Sequence, residues 1–348
     1  MYSRQLNFKL LNVIIITIAS STLLQINSIA QDLHFSQPQS IPLFINSANT
    51  GISGHDLRVC NSYRNQWSKI DYPYHSYYLS IDGHIKAFNQ QIGIGAFFLH
   101  DQSSSLYLTA DKIYLSLSHT SNFSNNQLVV GIQPGIVMKH FNTNRVTFGS
   151  QFDPDGELFD PGLPSNEYLL NDKMRYFDLN LGILWRSQIQ NLFVTAGFSA
   201  NHINMPVESF FSENDSTRLP VKYTFHSDIR IPVLKKFEIN PTILYSSTVG
   251  AREFVGGILA AYYPKNPDLA VERVFAIFNF RINPVKTVDA LIIGAGAAIS
   301  NLELAITYDF NVSSLRKASN FQGALEVSLI YTITKRKSKG IIEPCIML

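Results

Sequence analysis

The sequence predicts an all-β fold: a closed antiparallel outer-membrane barrel of about fourteen strands. Three observations carry that expectation. Stretches of around ten residues alternate strictly between apolar and polar side chains, the N-terminus carries an export signal with no later helical span, and the connections between the alternating stretches sort by length.

The alternation is clearest in "RYFDLNLGILW" (175–185), where Phe177, Leu179, Leu181, Ile183 and Trp185 oppose Tyr176, Asp178, Asn180 and Gly182. Successive side chains of a strand point to opposite faces, so such a segment has one apolar and one polar side. In "VKYTFHSDIRI" (221–231), Val221, Tyr223, Phe225, Ile229 and Ile231 oppose Lys222, Thr224, His226, Asp228 and Arg230. "LELAITYDF" (302–310) and "ALEVSLIYTI" (324–333) repeat the pattern. Each has the length of a tilted strand crossing a bilayer, and none has a 3.6-residue period.

Read in order, the strands are expected at 57–67, 76–86, 92–100, 106–118, 127–139, 174–185, 192–202, 220–231, 237–247, 252–263, 272–282, 287–297, 301–310 and 323–334. The segments 92–100, 252–263 and 287–297 are rich in Gly and Ala and carry the weakest pattern. The count is even, as single-chain bacterial barrels require. Odd-numbered connections include 140–173, 203–219 and 311–322, whereas 87–91, 186–191, 232–236 and 298–300 are short even-numbered ones. A barrel with both ends of the chain in the periplasm alternates long outer loops with short inner turns, and a soluble sandwich has no reason to. Lipid offers no partner for the open edge of a sheet, so the barrel must close.

Arg4 and Lys9 precede the apolar run "LLNVIIITIASSTLL" (10–24), and Ser28-Ile29-Ala30 has the small-x-small form of a signal-peptidase site. The expected organisation is a signal peptide over 1–30, a mature N-terminal segment over 31–56, the barrel over 57–334 and a basic periplasmic tail over 335–348. After residue 30 the most apolar run, "VDALIIGAGAAI" (288–299), is too short to span as a helix and contains Asp289. The expected location is therefore the outer membrane, in contact with its lipids.

Charged residues make up only 16% of the chain against roughly 25% in soluble proteins, while Phe and Tyr number 24 and 16. Aromatic side chains at strand ends suit membrane–water interfaces. A net charge of +2 leaves no basic field for nucleic acid.

Several segments, within and between the alternating stretches, resemble one family. "FSQPQSIPLFINSANTGISG" (35–54), "YRNQW" (63–67), "FGSQFDPDGELFDPGLPS" (148–165), "YFDLNLGILW" (176–185) and "YDFNVSSLRKASNFQGALEVSLIYTI" (308–333) are similar, in the same order, to the PorP/SprF family of the type IX secretion system. The resemblance implies an outer-membrane β-barrel subunit of a secretion and gliding-motility apparatus. It further implies contacts with periplasmic or lipoprotein subunits and, in some members, a secreted adhesin. Two features depart from the family pattern: Asn46-Ser47-Ala48 stands where N-P-A is usual, and the C-terminal "EPCIML" keeps only Pro344 and Cys345 of a Pro-Cys-Pro ending.

The sequence offers little for chemistry. "DPDGELFD" (153–160) gathers Asp153, Asp155, Glu157 and Asp160 around Gly156, which reads either as an oxygen-ligand set for calcium or as an acidic loop of Asp-Pro and Asp-Gly turns. No G-x-S-x-G elbow and no H-x-x-x-H pair occurs, so no catalytic residue, cofactor or metal is expected. The two cysteines, Cys60 and Cys345, fit a disulfide across the closing strands or two separate thiols. Arg64, Trp67, Asp153, Asp155, Arg316 and Lys317 are the expected outer partner contacts, and Asn46, Lys335, Arg336 and Pro344 the periplasmic ones. The function expected is a non-enzymatic component that anchors machine subunits. The alternative is a passive pore lined by Asp178, Lys222, His226, Asp228, Arg230 and Glu303.

Overall fold

A computed structural model describes residues 33–334, apart from 68–72, 88–89, 104–107, 142–148, 155, 157, 161, 165–171, 211–216, 265–269, 284–286, 314–315 and 317–321. Fourteen antiparallel strands close into one barrel. In chain order these are β1 (Leu57–Gln66), β2 (Tyr74–Ala87), β3 (Gln90–Ser103), β4 (Leu108–Phe123), β5 (Asn126–His140), β8 (Lys173–Ile189) and β9 (Leu192–Asn201). They continue with β10 (Lys222–Leu234), β11 (Phe237–Thr248), β12 (Ala251–Tyr262), β13 (Val271–Asn283), β14 (Thr287–Ile299), β15 (Leu302–Asn311) and β16 (Gln322–Ile333). Two short strands, β6 (Phe152–Asp153) and β7 (Leu158–Phe159), pair within the longest connection. The barrel closes where β1 pairs with β16, from Leu57 opposite Ile333 to Gln66 opposite Ala324.

Every expected strand is present, with ends displaced by a few residues; the largest displacement extends β4 to Phe123. The inner turns are tight: Ser124, Gln190 and Ser300 each open a two-residue turn with positive φ, as hairpins of that length demand. Connections 141–172, 202–221 and 312–321 lie at the other end. Short turns mark the periplasmic end of a bacterial barrel and long loops its outer end. Among the described residues no helix is long and apolar enough to cross a membrane.

The side chains sort as the alternation requires. Phe177, Leu181 and Ile183 are 55%, 42% and 42% exposed, whereas Asp178 and Asn180 are buried inside. Tyr223, Phe225, Leu304, Ile306, Leu325 and Val327 point out in the same way. An outward belt of this extent is far larger than any apolar patch a soluble monomer tolerates, and lipid is the solvent that matches it.

The interior is filled by the chain's own N-terminal segment. Residues 33–56 run inside the barrel as a strap with short turns at Pro38–Ser40, Pro42–Ile45 and Ser47–Asn49. Ser36, Gln37, Leu43, Asn46, Ala48, Asn49 and Thr50 are all essentially inaccessible. The sequence reading set this segment on the periplasmic side; its small and amide side chains instead match the polar wall of the lumen.

Candidate functional site

The strap and the wall that holds it form the most elaborate polar assembly of the molecule. Near the periplasmic end, Arg58 grips Asp82 with Nε–Oδ1 at 2.9 Å and Nη2–Oδ2 at 3.0 Å, and Asp82 Oδ2 also accepts the Gly51 N–H at 2.7 Å. Thr50 bonds Ser116 through the two hydroxyls at 2.7 Å, and Ser118 donates to the Thr50 carbonyl at 2.7 Å. At mid-height Asn46 donates to the carbonyls of Ile183 and Phe198 at 3.1 and 3.3 Å and meets His226 Nε2 at 3.1 Å. Its Oδ1 accepts the Ala48 N–H at 2.9 Å, fixing the turn that follows.

In the outer third a charged network receives the residues "FSQ". Glu326 accepts the backbone N–H of Ser36 at 2.6 Å and that of Gln37 at 3.0 Å, one on each carboxylate oxygen. Arg64 bonds the Ser36 hydroxyl and pairs with Glu326 at 3.3 Å and Asp309 at 3.0 Å. Arg281 joins Asp309 to Asp289 at 3.0 and 2.9 Å. Charges so enclosed persist only when paired and hydrogen-bonded, and strands β1, β13, β14, β15 and β16 supply the partners.

A second cluster lies under the outer mouth. Asp178 accepts from the Tyr114 hydroxyl and meets His202 Nδ1 at 2.7 Å. Above it, Glu208 from the connection 202–221 pairs with Lys139 and accepts the Tyr176 hydroxyl at 2.9 Å.

The predicted contact residues divide. Trp67 stands at the outer end of β1, with its backbone N–H on the Gly323 carbonyl at 2.9 Å and its ring edge-on to Tyr74 at 5.3 Å, a position suited to an interface aromatic. Asp153 lies in the β6–β7 hairpin of the longest outer connection, and Arg316 is exposed in the connection before β16. Arg64 differs from the expectation: it faces the lumen at 1% exposure, because alternation along β1 turns it inward. Asn46 also differs, being 1% exposed at the centre of the barrel. Asp155, Lys317, Lys335, Arg336, Pro344 and Cys345 lie outside the described residues; Cys60 is buried. Among the described residues no group of three or more His, Cys, Asp or Glu side chains is placed to hold a metal.

Sequence reasoning missed Glu326, Asp309, Arg281 and the "FSQ" residues as a set. One signal was legible: Gly131, Gly182 and Gly197 stand on inward rows, with Gly131 directly opposite Gly182. Glycine within a strand marks close approach by another backbone. The strap is that backbone, since a Cβ on Gly131 would fall 2.4 Å from the carbonyl carbon of Ser47.

A family model described as "Type IX secretion system membrane protein PorP/SprF" matches residues 27–331. The chain belongs to the PorP/SprF family. No curated protein matches it. Among solved structures, this PorP/SprF barrel is similar to the Ralstonia pickettii toluene transporter TbuX, at 10% identity and a TM-score of 0.48 over 84% of this chain and 93% of that one. It is also similar to a deltaS2 mutant of the TodX monoaromatic hydrocarbon channel, at 9% and 0.43 over 80% and 89% of the two chains. BamA from Haemophilus ducreyi lacking POTRA domains 1–3 follows at 9% and 0.41 over 80% and 70%. As a PorP/SprF member the chain is a membrane protein of the type IX secretion system with an outer-membrane barrel fold.

Proposed function

We propose that this PorP/SprF barrel is a non-enzymatic, positional component of the secretion and gliding machinery. It sits in outer-membrane lipid, offers its inner turns and tail to periplasmic or lipoprotein subunits, and offers its outer loops to an exported or surface protein such as a secreted adhesin. Trp67, Asp153, Asp155, Arg316 and Lys317 belong to the outer contact surface of this reading, and Lys335, Arg336 and Pro344 to the inner one. Arg64 and Asn46 serve it from within, by holding the strap.

One observation supports the reading above the pore alternative. The lumen that a passive pore would use holds the strap, and the polar residues that would line the pore are buried: Asp178, His226, Asp228, Arg230 and Glu303 are all below 9% exposed, with His226 on Asn46 of the strap. A rigid filled barrel lends itself to holding partners in register at its two ends, since loops on a rigid scaffold carry recognition. Two measurements on the full-length protein test this together. Planar bilayers should stay electrically silent, and purification in mild detergent should retain secretion-machine lipoproteins. Large steady currents from the unmodified protein, with no retained subunit, would refute the reading and favour the pore.

A further inference from the structure

We infer that the strap is threaded through the whole barrel with its N-terminal end at the extracellular mouth, so that Leu33 opens onto the outside of the cell. The order of its contacts along the wall carries this. Asp56 joins β1 at the short-turn end, where Leu57 lies opposite Gly83 of β2 and Ile333, the last residue of β16. Going back along the chain, Gly51 meets Asp82 and Thr50 meets Ser118, both in the periplasmic half of their strands. Asn46 follows at mid-height against Ile183 and Phe198. Ser36 then reaches Glu326 and Asp309, close to the outer ends of β16 and β15.

Leu33 and His34 continue the climb. They line a cavity of about 40 Å³ together with Asn201, Lys222, Ser246 and Glu253. Asn201 is the last residue of β9 and Lys222 the first of β10, both at the long-loop end. Each step is fixed by a hydrogen bond or a shared cavity wall. The strap is also packed less closely on one side. A second cavity of about 30 Å³, which shares Pro38, Ile45, Leu244 and Val255 with the first, continues down the wall formed by β10, β11 and β12.

The consequence is a single covalent segment whose two ends belong to opposite faces of the outer membrane, although the segment precedes the first strand. Cysteine accessibility tests it. In the full-length chain with Cys60→Ser and Cys345→Ser, Leu33→Cys, Val249→Cys in an outer turn and Asn301→Cys in an inner turn are treated with a membrane-impermeant maleimide, on intact cells and after permeabilisation. Heat-modifiable migration on gels verifies that each variant is folded.

Labelling of Leu33→Cys and Val249→Cys on intact cells, with Asn301→Cys labelled only after permeabilisation, is the expected result. Labelling of Leu33→Cys only after permeabilisation, or in neither state, overturns the threading while the two turn variants still report the barrel's orientation. Inverted labelling of the turn variants overturns the orientation itself, and with it both this inference and the assignment of outer and inner contacts. As a second variant, an epitope inserted between Asp32 and Leu33 should bind antibody on intact cells; binding only after permeabilisation counts against the threading.

Discussion

Gly182 leaves no room for a methyl group between itself and Asn46: a Cβ there would stand 1.9 Å from Asn46 Oδ1 and 2.8 Å from Ser47 Oγ. Gly182→Ala must therefore push the strap away from β8 or distort the wall. Overpacking of this kind costs about 1–3 kcal/mol, read as a lower melting temperature of the heat-modifiable band. Current steps in planar bilayers should accompany it as the strap loosens. Gly149→Ala, which meets nothing within 4 Å, is the matched control and should be neutral. Equal stability and silence in both variants would mean that the strap does not press on β8.

Glu326 takes part in three interactions at once, with the N–H groups of Ser36 and Gln37 and with Arg64. Glu326→Gln keeps the shape but removes the charge, leaving Arg64 with one carboxylate, Asp309, and the Ser36 hydroxyl in a buried site. Breaking a buried pair by removing one partner costs on the order of 3–5 kcal/mol. Adding Arg64→Met should recover part of the loss, because the unbalanced charge goes with it. A double-mutant cycle on unfolding in detergent measures that coupling, and strict additivity would show that the two groups act separately.

What was legible in the chain was the wall, and what was hidden was its filling. Phe177, Asp178, Leu179 and Asn180 disclose their faces by period alone, since a strand has only two sides and lipid demands one of them. Arg64 stands on the inward row of β1 yet reads from sequence as a surface contact, because alternation distinguishes in from out and says nothing of what stands inside. The strap has no such period. Pro38 and Pro42 begin short turns, and Asn46 caps the next, so residues 33–56 look like loop until the wall that satisfies their backbone is known. Ser36 is 290 and 273 residues from Glu326 and Asp309 in sequence, and only the passage of the strap through the closed barrel brings it to them.

The membrane reading makes a contrast that a soluble fold would not. Leu115, at mid-length of β4, is 63% exposed, and Val249, in an outer turn, is 75% exposed. In water both would accept Arg with little effect. In lipid, Leu115→Arg should cost about 2–4 kcal/mol, as basic residues do at the bilayer midplane. Val249→Arg should stay within about 0.5 kcal/mol of the parent. Folding titrations into lipid vesicles separate the two, and equal tolerance would place Leu115 in water.

The connection 202–221 is held to β5 and β8 by a tether weak enough to be released alone. Glu208 ties the connection 202–221 to β5 through Lys139 and to β8 through Tyr176, whose hydroxyl lies 2.9 Å from Glu208 Oε2. An edge-on contact of Phe141 with Phe210, ring centres 4.8 Å apart, adds a second hold. The side chains of Lys139 and Glu208 are 18% and 24% exposed, so the pair is partly hydrated and worth no more than about 1 kcal/mol. Glu208→Ala should leave the unfolding midpoint within that range. It should nonetheless free the connection, and trypsin added to intact cells should cut beside Arg218 several-fold faster than in the parent. The two readouts must part company: stability nearly constant, cleavage faster. A cleavage rate that does not change would show that Phe141 and the Val207–Arg218 bridge hold the connection without Glu208.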